Sequence, residues 1–252
     1  MTPPWGNIAM WGEFWLDLRG ADPAIFFARV PVARRFSGGR FYPSHATMGL
    51  YSQHILPRLL DAACSVGPVS KQRAKVVPLA TGEVVEIGIG SGLNLPFYDA
   101  SKVTRVTGID PDDALWKRGR GRLEACDFPV RRMGLSGEAL PLDNAVADTV
   151  VVTYTLCTIP DAIAALREMG RVLKPGGRIL FTEHGRAPDA SVARWQDRID
   201  PVWRRIAGGC HSGRDIPALF AQAGLGFDSL EQMYIPGPKV LSYNYWGSAR
   251  PL

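Results

Sequence analysis

A short apolar run, Val84-Val85-Glu86-Ile87, opens directly into Gly88-Ile89-Gly90-Ser91-Gly92. Residues of this kind in this order build a buried strand that turns sharply into a helix. Such a turn leaves backbone N–H groups aimed at whatever sits above the strand's end. Glycine serves it twice: it tolerates φ > 0, and it has no side chain to hold a ligand off the backbone. A dinucleotide-binding turn follows the pattern G-x-G-x-x-G. Gly88 and Gly90 fit that pattern, but position 93 is Leu and the third glycine is Gly92.

Glu86 adds an argument from charge. A dinucleotide brings an anionic pyrophosphate to the turn, where a carboxylate repels it. S-adenosylmethionine brings a sulfonium and an ammonium, which a carboxylate favours. Two unit charges about 4 Å apart interact by up to about 4 kcal/mol at an effective dielectric of about 20, so the sign of this effect points to the cationic ligand. Asp110 follows Gly88 by 22 residues and ends the apolar run Val103–Ile109. An acidic side chain at a second strand's end accepts hydrogen bonds from ribose hydroxyls. Glu138, in Gly137-Glu138-Ala139-Leu140-Pro141-Leu142, either contacts an adenine amino group or is a solvated loop carboxylate.

Methyl transfer from a sulfonium is an in-line displacement, for which a protein chiefly positions the nucleophile and excludes water. A thiol, with a pKa of about 8.5, needs little help from a base; an alcohol or carbon acid needs more. Candidates for such work lie after the later strands: Cys157, Glu183, His184, Cys210 and His211. His184 and His211 are the candidate base or substrate-orienting residues, and Cys157 is read as a packing residue. The spacing of Cys157, His184, Cys210 and His211 matches no closed zinc pattern, so no metal is expected.

The elements that must hold these residues alternate strand and helix from Gly82 onward. Strands are predicted over Val84–Ile87, Val103–Ile109, Val130–Met133, Ala147–Val152 and Arg178–Thr182. Helices are predicted over Tyr51–Cys64, Ala114–Ala125, Ala162–Leu173 and Asp215–Ala223, with a polar linker at 65–82. Phe227–Tyr234 and Val240–Trp246 are joined by a turn so short that the pair must be antiparallel. The fold class is therefore α/β, a doubly wound, mostly parallel sheet with a terminal antiparallel hairpin. Residues 1–47 form an aromatic-rich extension whose Trp11, Phe14, Trp15 and Leu18 share a helical face. That segment reads as a packed helix, a lid, or a peripheral membrane contact; its acidic polar face argues against the last. Residues 48–252 form the main domain, and 184–214 its substrate-side insert.

Bulk composition narrows the function classes. With 46% apolar and 21% charged residues, the 252-residue chain can bury an ordinary core. Its net charge of +5 comes from basic residues spread along the chain, which does not indicate a nucleic-acid partner. The four cysteines contain no C-x-x-C, which favours a reducing compartment, here the cytoplasm. No transmembrane run or secretory signal is found.

The ordered set Glu-Ile-Gly-Ile-Gly-Ser-Gly-Leu-Asn (86–94), Gly-Ile-Asp-Pro (108–111), Gly-Glu-Ala-Leu-Pro-Leu (137–142) and Arg-Val-Leu-Lys-Pro-Gly-Gly-Arg (171–178) resembles the motifs of class I S-adenosylmethionine-dependent methyltransferases. The resemblance covers roughly residues 48–247. It implies a seven-stranded sheet and a cofactor near Glu86, Gly88, Gly90, Asn94, Asp110, Glu138 and Thr153. Tyr154–Pro160, Glu183-His184-Gly185, Gly208–His211 and Tyr243–Trp246 are similar to motifs of the thiol methyltransferases and their bacterial relatives of the quinone and phospholipid type. The implied acceptor is a small lipophilic molecule, a thiol first, then a quinone-type carbon or a phospholipid amine. Two rivals stand beside this reading: a nicotinamide-dependent oxidoreductase, and a cofactor-binding regulatory subunit without turnover.

Overall fold

A computed structural model describes residues 55–252 of the chain. The 1–47 extension, its helical face at Trp11–Leu18 and the first residues of the helix predicted from Tyr51 lie outside them. Seven strands form one sheet in the order β3-β2-β1-β4-β5-β7-β6. They are β1 (Gly82–Ile87), β2 (Val103–Ile109), β3 (Val130–Met133), β4 (Ala147–Thr153), β5 (Leu173–His184), β6 (Leu225–Tyr234) and β7 (Tyr243–Pro251). The first five run parallel, while β7 pairs antiparallel with both β5 and β6. The expected doubly wound sheet and terminal antiparallel hairpin are both present.

The central strands are buried on both faces, as crossover helices require. Alternation sorts their side chains: Val85, Ile87, Val150, Val152 and Phe181 enter one core, and Val84, Val106, Val151 and Leu180 enter the other. Helix α5 (Ala162–Val172) closes the first core with Ala165, Leu166 and Met169, and the Asp161 side chain caps it by accepting from the Ala164 amide. Strand order reverses between β1 and β4, so the loops after these strands diverge to opposite sides and leave a crevice at the carboxyl ends.

Three local readings change. The segment 65–82 is no linker: α2 (Gly67–Val76) follows α1 (Leu56–Cys64), with proline in its first turn. The helix expected over 114–125 is two, α3 (Asp113–Arg118) and α4 (Arg120–Glu124). The break falls at Gly119, where a Cβ would run into the backbone of Ser91. The 184–214 insert contains a 17-residue helix, α6 (Ala190–Ile206), which continues through Pro201. Helix α7 (Ile216–Gln222) follows it, and a helical turn α8 (Lys239–Ser242) delays the last strand from Val240 to Tyr243.

Candidate active site

The glycine turn after β1 is built as its sequence demands. Gly88, Gly90 and Gly92 have φ of 75°, 49° and 72°, in the left-handed region that glycine alone occupies freely. At Gly88 a Cβ would collide with the Thr155 side chain, so the turn packs directly on the loop after β4. At Gly90 the nearest neighbour of a Cβ would be Asp110 Oδ2 at 3.8 Å, so the missing side chain leaves open space beside a carboxylate. The Gly90 amide donates to Asp110 Oδ2 at 2.9 Å and the Asp112 amide donates to Oδ1 at 2.7 Å. Burial nevertheless raises the Asp110 carboxyl above its ordinary range, against the pull of those two amides.

A cavity of about 140 Å³ lies over this turn. Glu86, Gly88, Gly90, Asn94, Asp110 and Thr153 all line it. Glu86 is buried, and it accepts from Asn94 Nδ2 at 3.0 Å and from the Tyr98 hydroxyl at 2.7 Å. Asn94 Nδ2 also donates to Thr153 Oγ1 at 3.0 Å, tying β1 to β4. Burial pushes Glu86 up to about 7, with the hydrogen bonds from Tyr98 and Asn94 opposing it. Glu138 is not part of the lining. Its Oε1 instead accepts from the Asp161 amide at 2.6 Å, just ahead of α5.

Two helices that precede β1 supply the far wall. Asp61 and Cys64 of α1 and Arg73 of α2 line the cavity. Arg73 is only 4% exposed. Its Nη1 donates to the Cys64 carbonyl at 2.7 Å, its guanidinium stands 5.0 Å from the Tyr154 ring centre, and its Nε has no partner among the described residues. A buried cation with an unmet donor facing a cavity is an anion-binding group in waiting. Nothing in the sequence singled out Arg73, because α2 has no apolar periodicity to reveal the helix that carries it.

Beyond Tyr154 lies a second constellation. The Tyr154 ring stacks on His184 with centroids 6.4 Å apart and planes inclined by 19°. His184 Nε2 lies 3.3 Å from Cys210 Sγ. Cys157, His184 and Cys210 place one ligand-type atom each within 4.8 Å of one another. The neighbouring Cys157 sulfur pulls the Cys210 thiol far down, against burial, and is itself pushed up. Burial would lower His184, but the adjacent Cys210 sulfur outweighs it and the net shift is upward. Glu183, fully buried, accepts from the amides of Thr155 and Leu156 at 2.8 and 3.1 Å through Oε1. Burial takes it to about 7, with those amides pulling the other way. Its Oε2 and His184 Nδ1 have no hydrogen-bond partner among the described residues.

His211 does not join His184. Its ring meets Asp200 of α6, with Nδ1 and Oδ2 3.2 Å apart, in a separate pocket bordered by Gln196 and Arg214. Its link to the cluster is through the backbone: the His211 amide donates to the Cys157 carbonyl at 2.9 Å. The linear spacing that argued against a metal site hides the proximity of the other three, because each comes from a different element.

A family described as a methyltransferase domain matches residues 85–181. Thiol S-methyltransferase TMT1B of Rattus norvegicus is 32% identical over 168 residues, which are 63% of this chain and 68% of that protein. A phosphatidylethanolamine N-methyltransferase of Cereibacter sphaeroides is 32% identical over 145 residues, 54% of this chain and 70% of that protein. A solved S-adenosylmethionine-dependent methyltransferase of Methanosarcina mazei has the same fold, with a TM-score of 0.53 at 18% identity, covering 68% of this chain and 92% of that one.

Proposed function

The chain belongs to the class I S-adenosylmethionine-dependent methyltransferases, and from that premise we propose that it methylates a small, lipophilic thiol. The observation that carries the acceptor is the match to the rat thiol S-methyltransferase, which spans 68% of that protein and so takes in more than the general domain at 85–181. The residues present fit the cofactor: a glycine cradle open over Gly90, a ribose-side carboxylate at Asp110, and a buried cation with a free donor at Arg73. Bound, the cofactor supplies a methyl group on a sulfonium. Asp110 takes the ribose hydroxyls, Arg73 the amino-acid carboxylate, and Glu86, held by Asn94 and Tyr98, the positive charge. Asn94 and Thr153 set the depth of that end of the cavity.

On the acceptor side Tyr154 and His184 form a flat, half-apolar wall suited to orienting a sulfur nucleophile and excluding water. His184 is the residue nearest the role of base or orienter. His211 acts at one remove, holding Cys157 by its backbone amide. Four free thiols suit a reducing compartment such as the cytoplasm, and no helix among the described residues is long and apolar enough to cross a membrane.

The Cereibacter sphaeroides relative supports a second reading, an ethanolamine phospholipid acceptor. Radiolabelled donor decides between them. Transfer to aliphatic and aromatic thiols, with none to ethanolamine phospholipid vesicles or hydroquinones, is the expected outcome. Transfer to the vesicles alone would replace the thiol reading.

A further inference from the structure

Cys157, His184 and Cys210 form a set of donors that the methyl-transfer reading leaves largely unused. They come from the loop after β4, the end of β5 and the loop after α6. Cys157 and Cys210 are 3% and 9% exposed, and Trp203 packs against the cluster they form with Ala207. Two cysteine sulfurs and an imidazole nitrogen suit zinc and other soft divalent ions. With Zn–S of about 2.3 Å and Zn–N of about 2.0–2.1 Å, tetrahedral ligand atoms stand roughly 3.6–3.8 Å apart. The observed 3.3 Å from Cys210 Sγ to His184 Nε2, and the 4.8 Å bound on all three atoms, bracket that spacing.

We propose that Cys157 Sγ, His184 Nε2 and Cys210 Sγ bind a zinc-class divalent cation whose fourth coordination position takes the acceptor thiol. Two protein thiolates, one imidazole and one exchangeable position make the ligand set of a catalytic rather than a structural zinc site. Placement agrees: the Tyr154 ring that stacks on His184 also lines the cofactor cavity, so metal and cofactor share one wall. Glu183, on the neighbouring position of β5, has a buried oxygen without a hydrogen-bond partner among the described residues. On binding the metal the acceptor thiol loses its proton to solvent. Its sulfur then forms a bond to the methyl carbon, and the bond from that carbon to the donor sulfonium breaks with the electron pair remaining on the donor sulfur. The fourth position rests on the thiol reading; the metal itself rests on the three ligands alone.

The test uses the full chain, produced with zinc and dialysed against metal-free buffer. About one zinc per chain is expected by mass spectrometry, lost in His184→Ala and Cys210→Ser, retained in Cys126→Ser, and regained in part by Cys210→His. Cobalt substitution of the unmutated protein gives a readout independent of variant folding: thiolate-to-cobalt charge transfer and tetrahedral d–d bands are expected, and a small thiol should shift them. Absence of metal under these conditions, or bands of an oxygen-ligated ion, overturns the site. Loss of zinc in Cys64→Ser, or bands indifferent to thiols, shows a closed ligand set and overturns the open position. Thiol-sensitive cobalt bands with no methyl transfer to any thiol would uphold the metal site and sink only the thiol reading.

Discussion

The two ends of the crevice are finished to different degrees. At the donor end the side chains hold one another: Glu86 accepts from Asn94 and Tyr98, Asn94 bridges to Thr153, and Asp110 accepts two amides. Only Arg73 Nε is left over there. At the acceptor end Glu183 Oε2 and His184 Nδ1 are both buried without partners among the described residues. Buried polar atoms are normally satisfied, and each exception asks for a reason. On the proposed assignment of the two ends, the contrast is that of a preformed socket for the cofactor beside a site completed by what it binds.

Substitutions should separate the two ends. If Asp110 holds the ribose as proposed, Asp110→Ala removes two charge-assisted hydrogen bonds of about 1.5–3 kcal/mol each, so S-adenosylhomocysteine affinity should fall by roughly two to four orders of magnitude. Calorimetry reads this directly, and unchanged affinity would remove Asp110 from the ribose role. His184→Ala should lower turnover by about a hundredfold while donor affinity moves by less than about threefold; a matching loss of donor affinity would erase the distinction between the ends. Arg73→Met should weaken S-adenosylhomocysteine by roughly tenfold to a hundredfold but leave methylthioadenosine, which has no carboxylate, unaffected.

Glu86 makes a pH prediction. In the free protein burial keeps it protonated up to about pH 7, while in the unfolded chain it ionises near 4.5. Its contribution to stability is therefore greatest below pH 4.5 and is given up as pH rises to about 7. A bound sulfonium favours the ionised form, so donor binding should tighten as pH rises towards 7, by up to about tenfold per unit, with a proton released. Glu86→Gln should flatten that profile. Glu183 titrates over the same range, so binding is a cleaner readout than melting. The smallest effect is expected of His211→Ala, under about threefold in turnover, because its ring faces Asp200 and its amide contact is kept; a hundredfold loss would bring the ring back into the chemistry.

The same contrast explains what could be read without coordinates. Glu86, Gly88, Gly90 and Asp110 sit on one turn and the next strand's end, so local spacing carries their geometry. Asn94 and Thr153 came only through family resemblance, since their link crosses 59 residues. Glu138 was assigned by its loop, and the loop turns it toward Asp161. The helix α6 within the 184–214 insert was not foreseen, and Pro201 is accommodated within it. Cys157, His184 and Cys210 are separated by 26 or more residues and meet only through tertiary packing, which no local periodicity reports.

The placement of β7 also sets an order in time. It follows β6 in the chain but lies between β5 and β6, so β6 reaches the sheet only through it. Asn244 of β7 pairs in register with His184 and accepts a 2.6 Å hydrogen bond from the Tyr154 hydroxyl, 90 residues upstream. At ribosomal speeds of about 5–20 residues per second, the Tyr154 ring waits roughly 5 to 20 seconds for the strand that fixes it. The residues that line the cofactor cavity end in the chain at Thr158, yet one of them, Tyr154, depends on β7. The wall that the Tyr154 ring gives to that cavity is thus among the last parts of the fold to be fixed.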